Sequence, residues 1–177
     1  MKKLYLIKHA KSNWDIADTR DFERPISKSG KKDINTISSY LRLQEISPDI
    51  MLSSCALRAQ ESTDLIAKKL NFSGKKLFLE ELYLTTAEDI LEIIMAQEAA
   101  HENIFVIGHN PHISELIKII TDEHFSKIPS MGVVALSFDI QEWEELEKMK
   151  GKIDFFIFPK QFKYYMPKQI RTSLGEK

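Results

Sequence analysis

At 177 residues and 43% hydrophobic content, the chain is long enough for one domain with a sizeable core and short for two. Its 25 lysines and arginines against 26 aspartates and glutamates leave a formal charge of −1, which removes the electrostatic case for nucleic acid or an anionic membrane as main partner; any anion site must be local. The single cysteine, Cys55, excludes an intrachain disulfide framework and fits a reducing cytoplasm, and no apolar run is long enough for a signal-peptide core or a membrane span.

Leu4 to Ile7 is a short apolar run of the kind that forms a buried parallel strand, and it leads directly into Lys8 and His9. Residues 10–26, with polar punctuation and Pro25, read as a long loop, a feature that in compact domains is often functional. Residues 27–47 place Ile34, Ile37, Tyr40 and Leu41 at helical spacing, with a break near Ser47-Pro48. "DIMLSS" (49–54) is a second strand, and 56–72 returns to helical spacing, with the helix beginning close to Arg58.

"KLFLEELYL" (76–84) reads as a short strand or extended piece. Residues 86–102 read as a helix opened by Thr85 or Thr86 as cap, with acids in the first turn. "NIFVIGHN" (103–110) is the strongest strand pattern, and Pro111 sits where the first turn of the next helix, 112–123, tolerates it. After Pro129, residues 132–140 and 152–159 are β-rich and flank an acidic segment, 141–150, expected to be an exposed turn. The tail 160–171 mixes lysines with aromatics and is expected to be an edge strand with a solvated end. Alternating strands and helices argue for an α/β layered fold around a mostly parallel sheet, with residues 1–177 as a single domain.

In open sheets of this kind ligands bind beyond the carboxyl ends of the strands. Those ends deliver Lys8-His9, Ser53-Ser54 followed by Arg58, and Gly108-His109-Asn110-Pro111. Two histidines, a lysine and an arginine at the starts of two helices make a pocket suited to phosphate. Each residue alone has an ordinary structural reading; their joint placement at one end of the sheet is what points to function.

"IKHAKSNW" resembles the first motif of the histidine phosphatase superfamily, "LSSCALRAQEST" its second, and "VIGHNPHISEL" its third. Order and spacing agree across nearly the whole chain. The resemblance implies a three-layer α/β/α sandwich of the phosphoglycerate-mutase-like type. It further implies His9 as nucleophile, with Arg58, His109 and Lys8 around the transferred phosphoryl group and no metal or other cofactor. Ser12 matches a polar position of the family's first loop; compact size and the segment "ERPISKSG" resemble the SixA-like phosphohistidine phosphatase branch, which adds Arg24 beside Ser12 as a substrate-binding position and a phosphohistidine-bearing protein as partner.

Two departures matter. Lys8 stands where the family carries arginine, exchanging a planar fork for a point charge. Asn110 occupies the place of one branch's acid, which leaves Glu81, with Glu80 as its alternative, as candidate general acid. An acid-poor site suits phosphohistidine, because imidazole leaves easily near neutral pH, with an unperturbed pKa of ~6.5. A phosphatase of small phosphomonoesters and a non-catalytic phosphoprotein-binding module are the alternatives. A cysteine phosphatase loop fails because Glu61, not arginine, is the sixth residue after Cys55, and His109 with His112 completes no zinc spacing.

Overall fold

The computed structural model of the chain describes residues 1–165. In chain order the elements are β1 (Lys2–Lys8), α1 (Lys28–Leu43), β2 (Ile50–Ser54), α2 (Leu57–Leu70), β3 (Lys75–Leu79), α3 (Ala87–Met95), β4 (Asn103–Gly108), α4 (His112–Thr121), β5 (Val133–Phe138), β6 (Lys152–Ile157) and α5 (Pro159–Tyr165). Short 3-10 turns cover Asp21–Glu23, Glu80–Leu82 and Trp143–Glu147.

The strands form one sheet in the order β3-β2-β4-β1-β5-β6. The first four are mutually parallel; β5 runs antiparallel to β1, and β6 to β5. Alternation along the central strands buries both faces. Leu4, Leu6, Ile50, Leu52, Ile104 and Val106 face α3 and α4. Tyr5, Ile7, Met51, Phe105 and Ile107 face α1, α2 and α5. This is the expected three-layer α/β/α arrangement.

Local chemistry sets the helix ends. Ser27 Oγ accepts from Gly30 N at 3.0 Å and caps α1, while Thr86 and Asp89 cap α3 reciprocally. Asn71 and Asp122 close α2 and α4 in the left-handed region, with φ of 55° and 66°.

Three expectations are corrected. The third helix stops at Met95 instead of continuing to 102. Beyond it the chain leaves helical bonding: His101 N donates to Glu98 O in a turn, and the carbonyls of Ala99 and His101 accept from Lys2 Nζ and, at 2.7 Å, from Trp143 Nε1, which hold this stretch against β1 and the 143–147 turn. The acidic segment is no exposed turn: its acids face water, but Trp143 and Leu146 are buried in the core on the α3–α4 side. The tail begins with α5, not a strand, because Phe162 packs 5.3 Å from the Tyr40 ring; residues 166–171 of that expectation lie outside the described residues. No helix among the described residues is long and apolar enough to cross a membrane.

Candidate active site

Strand register brings the motifs to one edge. Lys8 pairs with Gly108 and Ser53 with Ile107, so β1, β2 and β4 end side by side. His9 N donates to Gly108 O at 3.1 Å, which extends the pairing of the central strands by one residue. The loop 10–26 then folds back on itself: Asn13 N donates to Pro25 O at 2.9 Å and Ser27 N to Lys11 O at 2.8 Å. Gly30, in the first turn of α1, lies so close to this loop that an added Cβ would stand 2.4 Å from Lys11 O, which only glycine avoids. From the other side, Ala10 N donates to Ser62 Oγ and Ile26 N to Glu61 Oε2, at 2.9 and 2.7 Å, tying the loop to α2.

The resulting cavity of about 350 Å3 is lined by Lys8, His9, Ser12, Arg24, Arg58 and His109, among others. The sequence-expected cations and histidines therefore converge. His9 Nδ1 lies 2.7 Å from the carbonyl of Ala10, which can only accept. Nδ1 therefore carries the proton, and the lone pair belongs to Nε2. That nitrogen lies 2.6 Å from Lys8 Nζ and 3.3 Å from Arg58 Nε. Burial, then the neighbouring Lys8, then His109 and Arg58, push the His9 pKa far below its ordinary value, against the pull of the Ala10 hydrogen bond. A neutral imidazole with a directed lone pair beneath cationic side chains is a nucleophile suited to phosphorus.

His109 lies with its ring centroid 4.9 Å from that of His9 and its Nε2 2.8 Å from Ser54 Oγ. Burial, followed by the charges of Arg58 and Lys8, lowers its pKa to about 3. His109 is thus neutral in the free site at pH 7. Burial and the two arginines also lower Lys8, to about 7.

Two residues that the sequence did not single out organise the arginines. Asp21 Oδ1 accepts from Arg24 Nε and Nη2 at 3.1 and 2.8 Å, and Oδ2 accepts from Arg58 Nη2 at 3.1 Å and from the Tyr83 hydroxyl at 2.8 Å. Its backbone carbonyl accepts from Arg58 Nη1 at 2.6 Å. Burial opposes ionisation of this carboxyl, yet the hydrogen bonds from Tyr83 and Arg24 and the charge of Arg58 outweigh it, and the pKa falls well below the carboxylate range. Arg24 also donates through Nη1 to Ser12 Oγ at 2.5 Å, and both expected substrate-binding positions line the pocket. The signals for Asp21 and Tyr83 were present as an acid three residues before Arg24 and an aromatic two residues after Glu81.

The candidate acids fare differently. Glu81, in the 3-10 turn 80–82, is exposed and lines a separate hollow with Asp89 and Glu92, while Tyr83 occupies the pocket wall; the assignment of Glu81 to the site is corrected. Asn110 is bound to the backbone of Ile128, donating from Nδ2 at 2.8 Å and accepting at Oδ1 at 3.1 Å, a role no acid at that position could fill in both directions. Cys55 is a buried thiol beside the second motif. Among the described residues no group of three or more His, Cys, Asp and Glu side chains is placed to hold a metal ion.

The fold is that of the phosphoglycerate-mutase-like histidine phosphatases, as solved structures show. The protein histidine phosphatase SixA complexed with tungstate aligns with a TM-score of 0.79 at 18% identity, covering 90% of this chain and 99% of its own. A protein provisionally named phosphohistidine phosphatase SixA, from Agrobacterium tumefaciens, aligns with a TM-score of 0.76 at 23% identity, covering 88% and 97%. By sequence, an uncharacterized chloroplastic protein of Arabidopsis thaliana is 26% identical over 159 residues, covering 85% of this chain and 72% of its own. No family model matches the chain.

Proposed function

We propose that the protein is a metal-independent phosphatase that works through a phosphohistidine intermediate on His9 and removes phosphate from phosphohistidine on other proteins. The observation that carries the reading is the His9 imidazole, its proton held on Nδ1 by the Ala10 carbonyl and its Nε2 aimed into a pocket built from Lys8, Arg24 and Arg58. The single-domain organisation over 1–177 and a cytoplasmic setting belong to the same proposal.

The geometry suggests the steps. An entering phosphoryl group takes over the Lys8 and Arg58 donors that rest on Nε2, which frees the lone pair. Nε2 then bonds to phosphorus as the bond to the leaving group breaks, and the positive charge on the ring is shared with Ala10 O through Nδ1–H. Charge on the equatorial oxygens is met by Lys8, Arg58 and Arg24. Water next attacks phosphorus, the bond to Nε2 breaks, and inorganic phosphate leaves.

Substrate choice follows from proton supply. Asp21 is ionised, Asn110 is bound to the backbone and Glu81 lies outside the pocket, so among the described residues no carboxylic acid is placed to protonate an alkoxide. A substrate imidazole already protonated on its free ring nitrogen leaves as the neutral base and needs no such help, which favours phosphohistidine over phosphomonoesters. That a tungstate complex exists for a protein of the same fold is consistent with a tetrahedral anion here.

The test is single-turnover dephosphorylation, without added metal, of a phosphotransfer domain carrying phosphohistidine, beside an aryl phosphate. His9→Ala should lose at least ~10⁴-fold in rate. Wild-type turnover that survives His9→Ala, or aryl phosphate consumed as readily as phosphohistidine, would sink the reading.

A further inference from the structure

Among the described residues, eight large apolar side chains stand exposed; two of them, Trp14 and Leu84, line the pocket, and a third, Phe22, packs on Tyr83 of its wall. Trp14, 73% exposed, lies over Arg24 with its ring centroid 3.4 Å from the guanidinium carbon. Leu84, 82% exposed, comes from a different segment and also lines the cavity. Phe22 meets Tyr83 edge-on at 5.1 Å, and Tyr83 meets His109 edge-on at 5.8 Å, so an aromatic path leads from the surface to the pocket wall.

A soluble surface rarely keeps such groups together without a use. Their placement excludes a small phosphate as that use. A free phosphomonoester is held by the cationic floor inside about 350 Å3, whereas most of Trp14 and Leu84 faces outward, beyond anything the cavity encloses. Only a ligand larger than the cavity covers them. The pattern is that of a binding hot spot: a charged anchor at the centre, satisfied by Lys8, Arg24 and Arg58, and an apolar ring that excludes water around it.

We infer that this rim is a docking surface for protein segments in which the phosphohistidine is flanked by apolar side chains. The inference rests on the phosphohistidine reading and deepens it. The dianionic phosphoryl group complements the buried cations, and the flanking side chains complement the ring. Other exposed apolar residues, such as Leu43 and Met149, do not line the cavity and play no part in it.

Nine-residue peptides with one central phosphohistidine, prepared with phosphoramidate, test it: one series flanked by leucine and phenylalanine, one by serine. The apolar series should show about tenfold higher kcat/KM, and Leu84→Ser should erase most of that gain while turning over free phosphohistidine within about twofold of wild type. Equal kcat/KM for both series would overturn the inference. So would a concentration-dependent dimer in sedimentation that Leu84→Ser abolishes, since the rim would then belong to a second copy. If no phosphohistidine is turned over at all, the catalytic reading fails, and titration of both peptide series into His9→Ala still decides docking: tighter binding of the apolar series sustains it, equal binding ends it.

Discussion

The two ends of the central sheet handle polarity in opposite ways. At the amino end of β4, Asp49 Oδ2 accepts from the backbone nitrogens of Glu102 and Asn103 at 2.8 and 2.7 Å, and the carboxylate remains exposed to water. Lys2 serves the backbone there as well, its Nζ donating to the Ala99 carbonyl. At the carboxyl end, Lys8, His9, Arg24, Arg58 and His109 crowd into a largely buried cavity in which three of the groups are depressed in pKa by one another and by burial. Burying like charges together destabilises a fold, so an arrangement of this kind marks the end of the sheet that chemistry has shaped.

The comparison can be broken most forcefully at Arg58. Arg58→Ala removes a donor to Nε2 and both contacts to Asp21, and kcat/KM toward phosphohistidine should fall by ~10²–10³ while far-UV circular dichroism is unchanged. A fall of less than about tenfold would mean that the crowding of cations is not catalytic.

Acidity gives the next largest effect. Lys8 in the free site loses its proton as pH rises through about 7, and the cation is the form that holds an oxyanion. The Kd for tungstate should therefore weaken by up to about tenfold per pH unit above that point, and Lys8→Arg, charged throughout, should flatten the profile. The stability sign runs the other way. The folded pKa lies below the unfolded one, so the folding penalty of charged Lys8 is full below about 7 and is relieved as pH climbs toward the unfolded value of 10.5. A pH-independent tungstate Kd would remove the assignment of a titrating lysine to the site.

Stability itself separates the two ends. Asp49→Ala should cost about 1–2 kcal/mol by orphaning backbone donors, whereas Lys8→Met should gain about 1–2 kcal/mol by relieving crowded charge, both read from urea midpoints. Equal signs would erase the contrast. Smallest of all, Glu81→Gln should leave turnover within about twofold of wild type, because that carboxylate faces a separate hollow.

What could be read from the sequence follows from how local each signal is. Strands β1, β2 and β4 are continuous apolar runs because both faces are buried, and each motif follows such a run directly, so His9, Arg58 and His109 were legible together. Asp21 was not, because a lone acid three residues before Arg24 is a weak signal and its other partners, Arg58 and Tyr83, meet it only through folding. The acidic segment 141–150 reads as exposed because its acids advertise water, while Trp143 and Leu146 among them face the core. The third helix was drawn too long because nothing in the local sequence marks its end; Lys2 and Trp143 hold the stretch beyond Met95 from elsewhere in the chain.

One bond has an evolutionary reach. A catalytic histidine oriented by a carboxylate depends on a codon that can drift, and losing that partner misplaces the proton. Here the orienting group is the main-chain oxygen of Ala10, present whatever side chain stands at that position. The tautomer of His9, the proposed nucleophile, is thus heritable through backbone path alone. Substitutions can reach it only by moving the loop, and the position where that happens first is Gly30, where a single methyl group would push against Lys11 O.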